Sequence, residues 1–156
     1  MNSTDIDILP YDPKFSRDFA RLNYEWLEKY FIVEDYDAEI LLDPQQHIMD
    51  PGGEILLAVA DGQVVGTTAL IVRDADTFEL AKMAVTADFQ GLRIGQKLMY
   101  AAIDYSRRAG KRRIILDSNT KLRPALALYE KVGFREIPYD PNSPYQRCNI
   151  RMELML

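Results

Sequence analysis

The chain has 156 residues, 47% hydrophobic and 28% charged, which suits one folded domain with a packed core and excludes the disordered class. Its formal net charge of −5 argues against a nucleic-acid partner, which is normally met by a basic face. A single cysteine, Cys148, excludes an intrachain disulfide, and the lone His47 has no Cys or His at ligand spacing, so no metal site is expected.

Met1-Asn2-Ser3-Thr4-Asp5 has neither the basic nor the apolar region of a signal peptide, and no apolar run approaches the ~20 residues that span a bilayer. A cytoplasmic protein with no membrane partner is the expectation. Ile6, Ile8 and Pro10 open a short edge strand. Phe15, Phe19, Leu22 and Trp26 recur at helical spacing, with Asp12-Pro13 as the helix start. A second helical stretch runs from Asp37 to Asp43 and ends at Pro44, and Asp50-Pro51-Gly52-Gly53 is a loop. His47 is placed on a loop, either with no chemical task or with a part in substrate binding.

Glu54 to Ala60 is an apolar run of strand length. Asp61-Gly62 follows as a hairpin signal, and Val64 to Val72 returns. After Asp74-Ala75-Asp76 a fourth strand runs from Phe78 to Val85, so these strands form an antiparallel meander. Ile94, Leu98, Ala101, Ala102 and Tyr105 then repeat at helical period, with Gly110 at the C-terminal cap. Arg113 to Asp117 is a strand, reached by a right-handed crossover. Ala125, Leu128, Tyr129 and Val132 mark a helix that begins near Arg123, because Pro124 fits only its first turn, and that closes at Gly133. Phe134 to Ile137 and Tyr145 to Leu154 are the last strands, joined by a loop with Pro138, Pro141 and Pro144. The fold class is a mixed α/β sheet, mostly antiparallel and flanked by helices, in one domain over residues 1–156.

The chemistry gathers at the junction from Met83 to Leu98, where a strand ends, a loop turns and glycines open a helix. The first turn of a helix presents unpaired N–H groups and the positive end of the dipole, which bind phosphate. Glycine lets the backbone approach that phosphate closely, and Arg93 and Lys97 either add charge or point into solvent.

Gln90-Gly91-Leu92-Arg93-Ile94-Gly95, preceded by Met83-Ala84-Val85, resembles the cofactor motif of the GNAT (Gcn5-related N-acetyltransferase) superfamily, usually written Gln/Arg-x-x-Gly-x-Gly/Ala. Ala125-Leu126-Ala127-Leu128-Tyr129-Glu130-Lys131-Val132-Gly133-Phe134 resembles that family's second signature. The two lie in the family's order and spacing, and the resemblance covers nearly the whole chain. It implies acetyl-CoA as co-substrate, bound where two parallel strands splay, here Phe78–Val85 and Arg113–Asp117, the fourth and fifth strands. Backbone groups of Met83 and Val85 would pair with the pantetheine arm. The amides of Leu92, Arg93, Ile94, Gly95 and Gln96 would hold the pyrophosphate. Two departures stand out. Arg93 replaces the usual glycine at the fourth motif position. Where many members carry an Asn three residues before the alanine that matches Ala125, this chain has Leu122, and Asn119, one turn earlier, either contacts the cofactor or only turns the chain.

The resemblance also implies a direct transfer to an amine. Glu79 is the expected base or water-holder, since several members place a glutamate on this strand, and alternation puts its apolar neighbours Phe78 and Leu80 on the other face. Tyr129 matches the tyrosine that commonly protonates the departing thiolate, and it also continues the apolar stripe of its helix. The oxyanion donor is the amide near Ala84 or Val85. Cys148 is a poor nucleophile, with no His nearby and a place inside a predicted strand. The acidic stretch Glu34, Asp35, Asp37 and Glu39 is either a solvated surface or lines an amine pocket with Trp26, Tyr30 and Phe31. Tyr145 and Arg147 open the last strand, where the family often closes the acceptor site. The leading function is an N-acetyltransferase acting on a primary amine of a small molecule, peptide or protein. Its alternatives are a non-catalytic acyl-CoA sensor and a toxin-like protein that acylates aminoacyl-tRNA. Oligomeric state stays open, a homodimer being one option.

Overall fold

The computed structural model describes residues 5–156, so the leaderless reading of residues 1–4 lies outside the described residues. Seven strands make one sheet in the order β1-β2-β3-β4-β5-β7-β6. These are β1 (Ile6–Pro10), β2 (Glu54–Ala60), β3 (Gln63–Asp74), β4 (Thr77–Val85), β5 (Arg113–Ser118), β6 (Arg135–Ile137) and β7 (Ile150–Met155). Every neighbouring pair is antiparallel except β4 and β5, so the fold class read from the pattern of elements is the one observed.

Four helices cover the two faces: α1 (Ser16–Tyr30), α2 (Asp35–Leu42), α3 (Ile94–Arg108) and α4 (Arg123–Val132). Alternation along the strands sorts the apolar residues between them. Leu56, Phe78, Leu80 and Ile114 pack with Leu98, Met99 and Ala102 of α3. Ile55, Leu57, Ala69 and Ile71 pack with Phe19, Leu22 and Leu27 of α1 and with Ile40 and Leu41 of α2. Among the described residues no helix is long and apolar enough to cross a membrane.

Some boundaries differ from the sequence reading. Asp12-Pro13 opens a short 3-10 turn over Pro13–Phe15, and α1 proper begins at Ser16. The second helix starts earlier than Asp37, at Asp35, because Glu34 caps it in a reciprocal capping box with Asp37. His47 lies within a π-helical turn over Gln45–Met49 rather than on a loop. The last strand begins at Ile150, not Tyr145. Residues 145–149 are instead tied down by long-range bonds, with the Gln146 and Arg147 amides donating to the Glu34 carboxylate. The three prolines in front of them mark the loop, but partners distant in sequence, Glu34 on one side and Ser118 to Thr120 on the other, decide where it stops.

Candidate active site

A parallel pair that stops short creates the site. β4 and β5 pair only from Thr77 to Glu79 and from Arg113 to Ile115, although both strands run on for several residues. The register of β4 against β3 slips between Ala81 and Ala84, and Lys82 sits in the left-handed region with φ 57°. An extra residue in one strand bends it, and here the bend follows the last β4–β5 pair. The backbone edge of β4 beyond Glu79 therefore faces a gap instead of β5. The gap is a cleft of about 730 Å³ that runs between the two helical layers. Met83, Val85, Gln90, Ala125, Leu128 and Tyr129 line it on the α3–α4 side. Trp26, Tyr30, Phe31, Lys121, Tyr145 and Arg147 line it on the α1 side.

At the first end, the chain leaves β4 through a 3-10 turn over Ala87–Phe89 and enters α3 at Ile94. Gly91 has φ 84° and Arg93 φ 60°, so the turn needs two left-handed residues. Arg93 thus occupies a conformation that suits glycine, and its exposed side chain points away from the core. No side chain caps α3, so the first-turn amides have no capping acceptor among the described residues. A Cβ on Gly95 would meet only Leu128 at 3.8 Å and Met83 at 4.0 Å, ordinary contacts. Packing within the protein does not require a glycine there. The Gln90 side chain donates to the Val85 carbonyl at 3.1 Å, tying the turn to the strand. Asn119 lines the cleft and turns the chain: its Nδ2 donates to the Arg147 carbonyl at 2.7 Å, and its Oδ1 accepts from the Lys121 amide at 2.9 Å.

Midway along the cleft stands Glu79, on the face opposite Phe78 and Leu80. Its side chain is 3% exposed and pairs with Arg73, whose Nε donates to Oε1 at 2.6 Å. Burial pushes the Glu79 carboxyl above its ordinary value against the pull of Arg73. Tyr129 packs its ring 6.0 Å from that of Phe134, and burial pushes its hydroxyl up to about 12. Burial also lifts the Cys148 thiol to about 12, so it is a thiol at neutral pH. Cys148 lies before β7 rather than in it.

Beneath the second end runs a buried ion network. The Asp37 carboxylate, fully buried, accepts from Lys82 Nζ, from Arg147 Nη1 at 2.6 Å and Nη2 at 3.0 Å, and from the Glu34 amide at 3.1 Å. Arg147 Nη1 also reaches Glu34 at 3.0 Å. Burial pushes the Asp37 carboxyl up, but the Arg147 hydrogen bonds and the Lys82 charge outweigh it and hold it below 3.8. Burial drives the Lys82 ammonium the other way, below its ordinary value, against the Asp37 carboxylate. The acidic stretch is therefore split. Asp35 and Glu39 are solvated, whereas Glu34 and Asp37 are spent on Arg147 and Lys82 and do not line the cleft. Trp26, Tyr30 and Phe31 do line it, as one aromatic cluster with centroids 5.5 and 5.6 Å from Trp26. Tyr145 lies between two cations, Lys82 at 4.9 Å and Arg147 at 4.6 Å from its ring. Arg73 and Lys82 escaped the sequence reading. Lys82 had a usable signal: a lysine inside an apolar strand run is seldom buried unless it is paired. Among the described residues no group of His, Cys, Asp and Glu is placed to hold a metal.

The family model described as "Acetyltransferase (GNAT) family" matches residues 20–134. The Uncharacterized N-acetyltransferase YjgM of Escherichia coli K12 is 28% identical over 148 residues, covering 90% of this chain and 87% of that protein. A GNAT-family acetyltransferase from Staphylococcus aureus Mu50 superposes with TM-score 0.86 at 23% identity, over 97% of this chain and 99% of that one. YncA from Salmonella typhimurium, solved with its cofactor acetyl-CoA, superposes with TM-score 0.75 at 20% identity, over 97% and 94%. The splayed parallel pair, the turn into α3 and the sequence match converge: the chain belongs to the GNAT acetyltransferase family and is an acyltransferase.

Proposed function

We propose that this chain, acting as one domain, moves an acetyl group from acetyl-CoA to a primary amine by direct attack in a ternary complex. The observation that carries the reading is the unpaired edge of β4, which leads from the uncapped start of α3 to the buried carboxylate of Glu79. The amides from Leu92 to Gln96 hold the pyrophosphate through the helix dipole and free N–H groups. Backbone groups of Met83 and Val85 take the pantetheine arm as a strand would.

A lysine-like amine is neutral at pH 7 only at a cost of about 4–5 kcal/mol, from a pKa of ~10.4. Glu79, directly or through a water, takes the amine proton as nitrogen bonds to the acyl carbon. Burial lifts its carboxyl toward working pH, which favours a base. The amide near Ala84 or Val85 steadies the carbonyl oxygen as the carbon–sulfur bond breaks. Tyr129 stays protonated across the neutral range and gives the thiolate its proton.

The test is thiol release from several acyl-CoAs with an amine panel. Glu79→Gln and Tyr129→Phe are each expected to lower kcat by about 10²-fold, with acetyl-CoA affinity kept. If neither variant slows turnover, the roles are wrong. Binding of acetyl-CoA with no release for any amine would favour a sensor.

A further inference from the structure

The acceptor end of the cleft is basic within an acidic protein. The formal charge of the chain is −5, yet the ionisable groups of fixed charge along the cleft are Lys29, Lys82, Lys121 and Arg147 against Glu79 and Asp117. Both carboxylates are neutralised from behind. Arg73 holds Glu79, and Arg151 holds Asp117 through Nε at 2.7 Å and Nη2 at 3.0 Å. Asp37 and Glu34 compensate Lys82 and Arg147. Lys29 and Lys121 rest on rings instead of carboxylates, with Nζ 5.1 Å from the Tyr30 centroid and 4.2 Å from the Phe31 centroid.

Lys121 and Arg147 both line the cleft beside one ring, that of Phe31. The Arg147 guanidinium lies 6.0 Å from the same Phe31 centroid that Lys121 covers. A guanidinium has five N–H donors, and three of its contacts here go to Asp37 and Glu34, from Nη1 and Nη2 only. Its Nε–H and one Nη2–H donate to no acceptor among the described residues, and Arg147 lines the cleft. Tyr145 lines the same cleft, and its hydroxyl is buried with no partner among the described residues.

An acceptor bearing only an ammonium gains nothing from the uncompensated Lys121 or the unused N–H donors of Arg147. An acceptor with a carboxylate gains charge-assisted hydrogen bonds, while its amine still reaches Glu79. The neighbouring Trp26–Tyr30–Phe31 wall suits an apolar body. We propose that the acceptor is an amine that also carries a carboxylate, such as an amino acid, with that carboxylate held by Lys121 and Arg147. The proposal rests on the acetyl-transfer reading and adds the class of acceptor.

Matched acceptors test it: phenylalanine, its amide and phenethylamine, and the same trio built on leucine, each with acetyl-CoA. The carboxylate-bearing member of each trio is expected to have a kcat/KM at least about tenfold above the others, the size of one charged hydrogen bond. Lys121→Glu is expected to raise the amino-acid KM by about tenfold or more without weakening acetyl-CoA in calorimetry, and Lys121→Arg to restore it. Equal turnover of the amino acid, its amide and the amine overturns the proposal and leaves acetyl transfer standing. So does a Lys121→Glu variant that loses acetyl-CoA affinity instead, since the lysine then serves the nucleotide. If no amine releases thiol, the transfer reading falls. Calorimetric titration of the acetyl-CoA-loaded protein then decides: tighter binding of the amino acid than of its amide supports the anion site, and equal or absent binding overturns it.

Discussion

At the α3 end of the cleft the chain offers backbone, and at the α1 end it offers side chains. The turn from Gln90 to Gly95 exposes amides whose directions follow from a few local dihedrals, two of them left-handed. The opposite end depends on Asp37, Lys82 and Arg147, drawn from a helix, a strand bulge and a loop. A site made of backbone is short in sequence and tolerant of its neighbours. A site made of buried charges is assembled only by the whole fold, and removing one partner strands the others.

Asp37→Ala should show the contrast most strongly. It leaves Lys82 and Arg147 buried without their shared carboxylate, at an expected cost of about 3–5 kcal/mol in denaturant unfolding. Acetyl-CoA affinity of the protein that still folds should stay as in the parent. A loss below about 1 kcal/mol would mean the network is solvated and the contrast false. The same carboxyl predicts a pH signature. Its folded value lies below 3.8, so its stabilisation is complete above that pH and disappears as pH falls through the lower folded value. Asp37→Asn should lack that part of the acid transition.

Arg73→Gln acts between the two ends. Burial already lifts the Glu79 carboxyl, and Arg73 opposes it. Without the guanidinium, Glu79 should titrate higher, moving the acid limb of the kcat/KM profile to higher pH. An unmoved limb would show that another group sets it. The smallest effect is expected at the backbone end. Arg93→Gly relieves a left-handed conformation that costs an ordinary residue about 1–2 kcal/mol, partly offset by glycine's entropy, for a net gain of about 0.5–1 kcal/mol in thermal unfolding. No gain would mean the Arg93 side chain makes compensating contacts.

The legibility of the two ends follows their construction. The meander, the crossover and the helix starting at Arg123 could be read because strand alternation, the Asp61-Gly62 turn and Pro124 act over a few residues. The motif turn was readable for the same reason. The start of β7 was not, because Gln146 and Arg147 are tied to the Glu34 carboxylate, 112 positions before Gln146, and Arg147 and Asn149 to Asn119 and Ser118. The role of Glu34 and Asp37 was misjudged likewise: in sequence they form an acidic run, and only their distant cations show that they are consumed.

Local pattern by itself thus determined the fold class and the turn that opens α3, since each rests on short-range periodicity and backbone dihedrals, while the family was legible through the resemblance of two short motifs. Only the tertiary structure decided the charge of the α1 end of the cleft, because a residue's charge counts there after its partners are subtracted. Those partners lie on elements that sequence spacing does not relate.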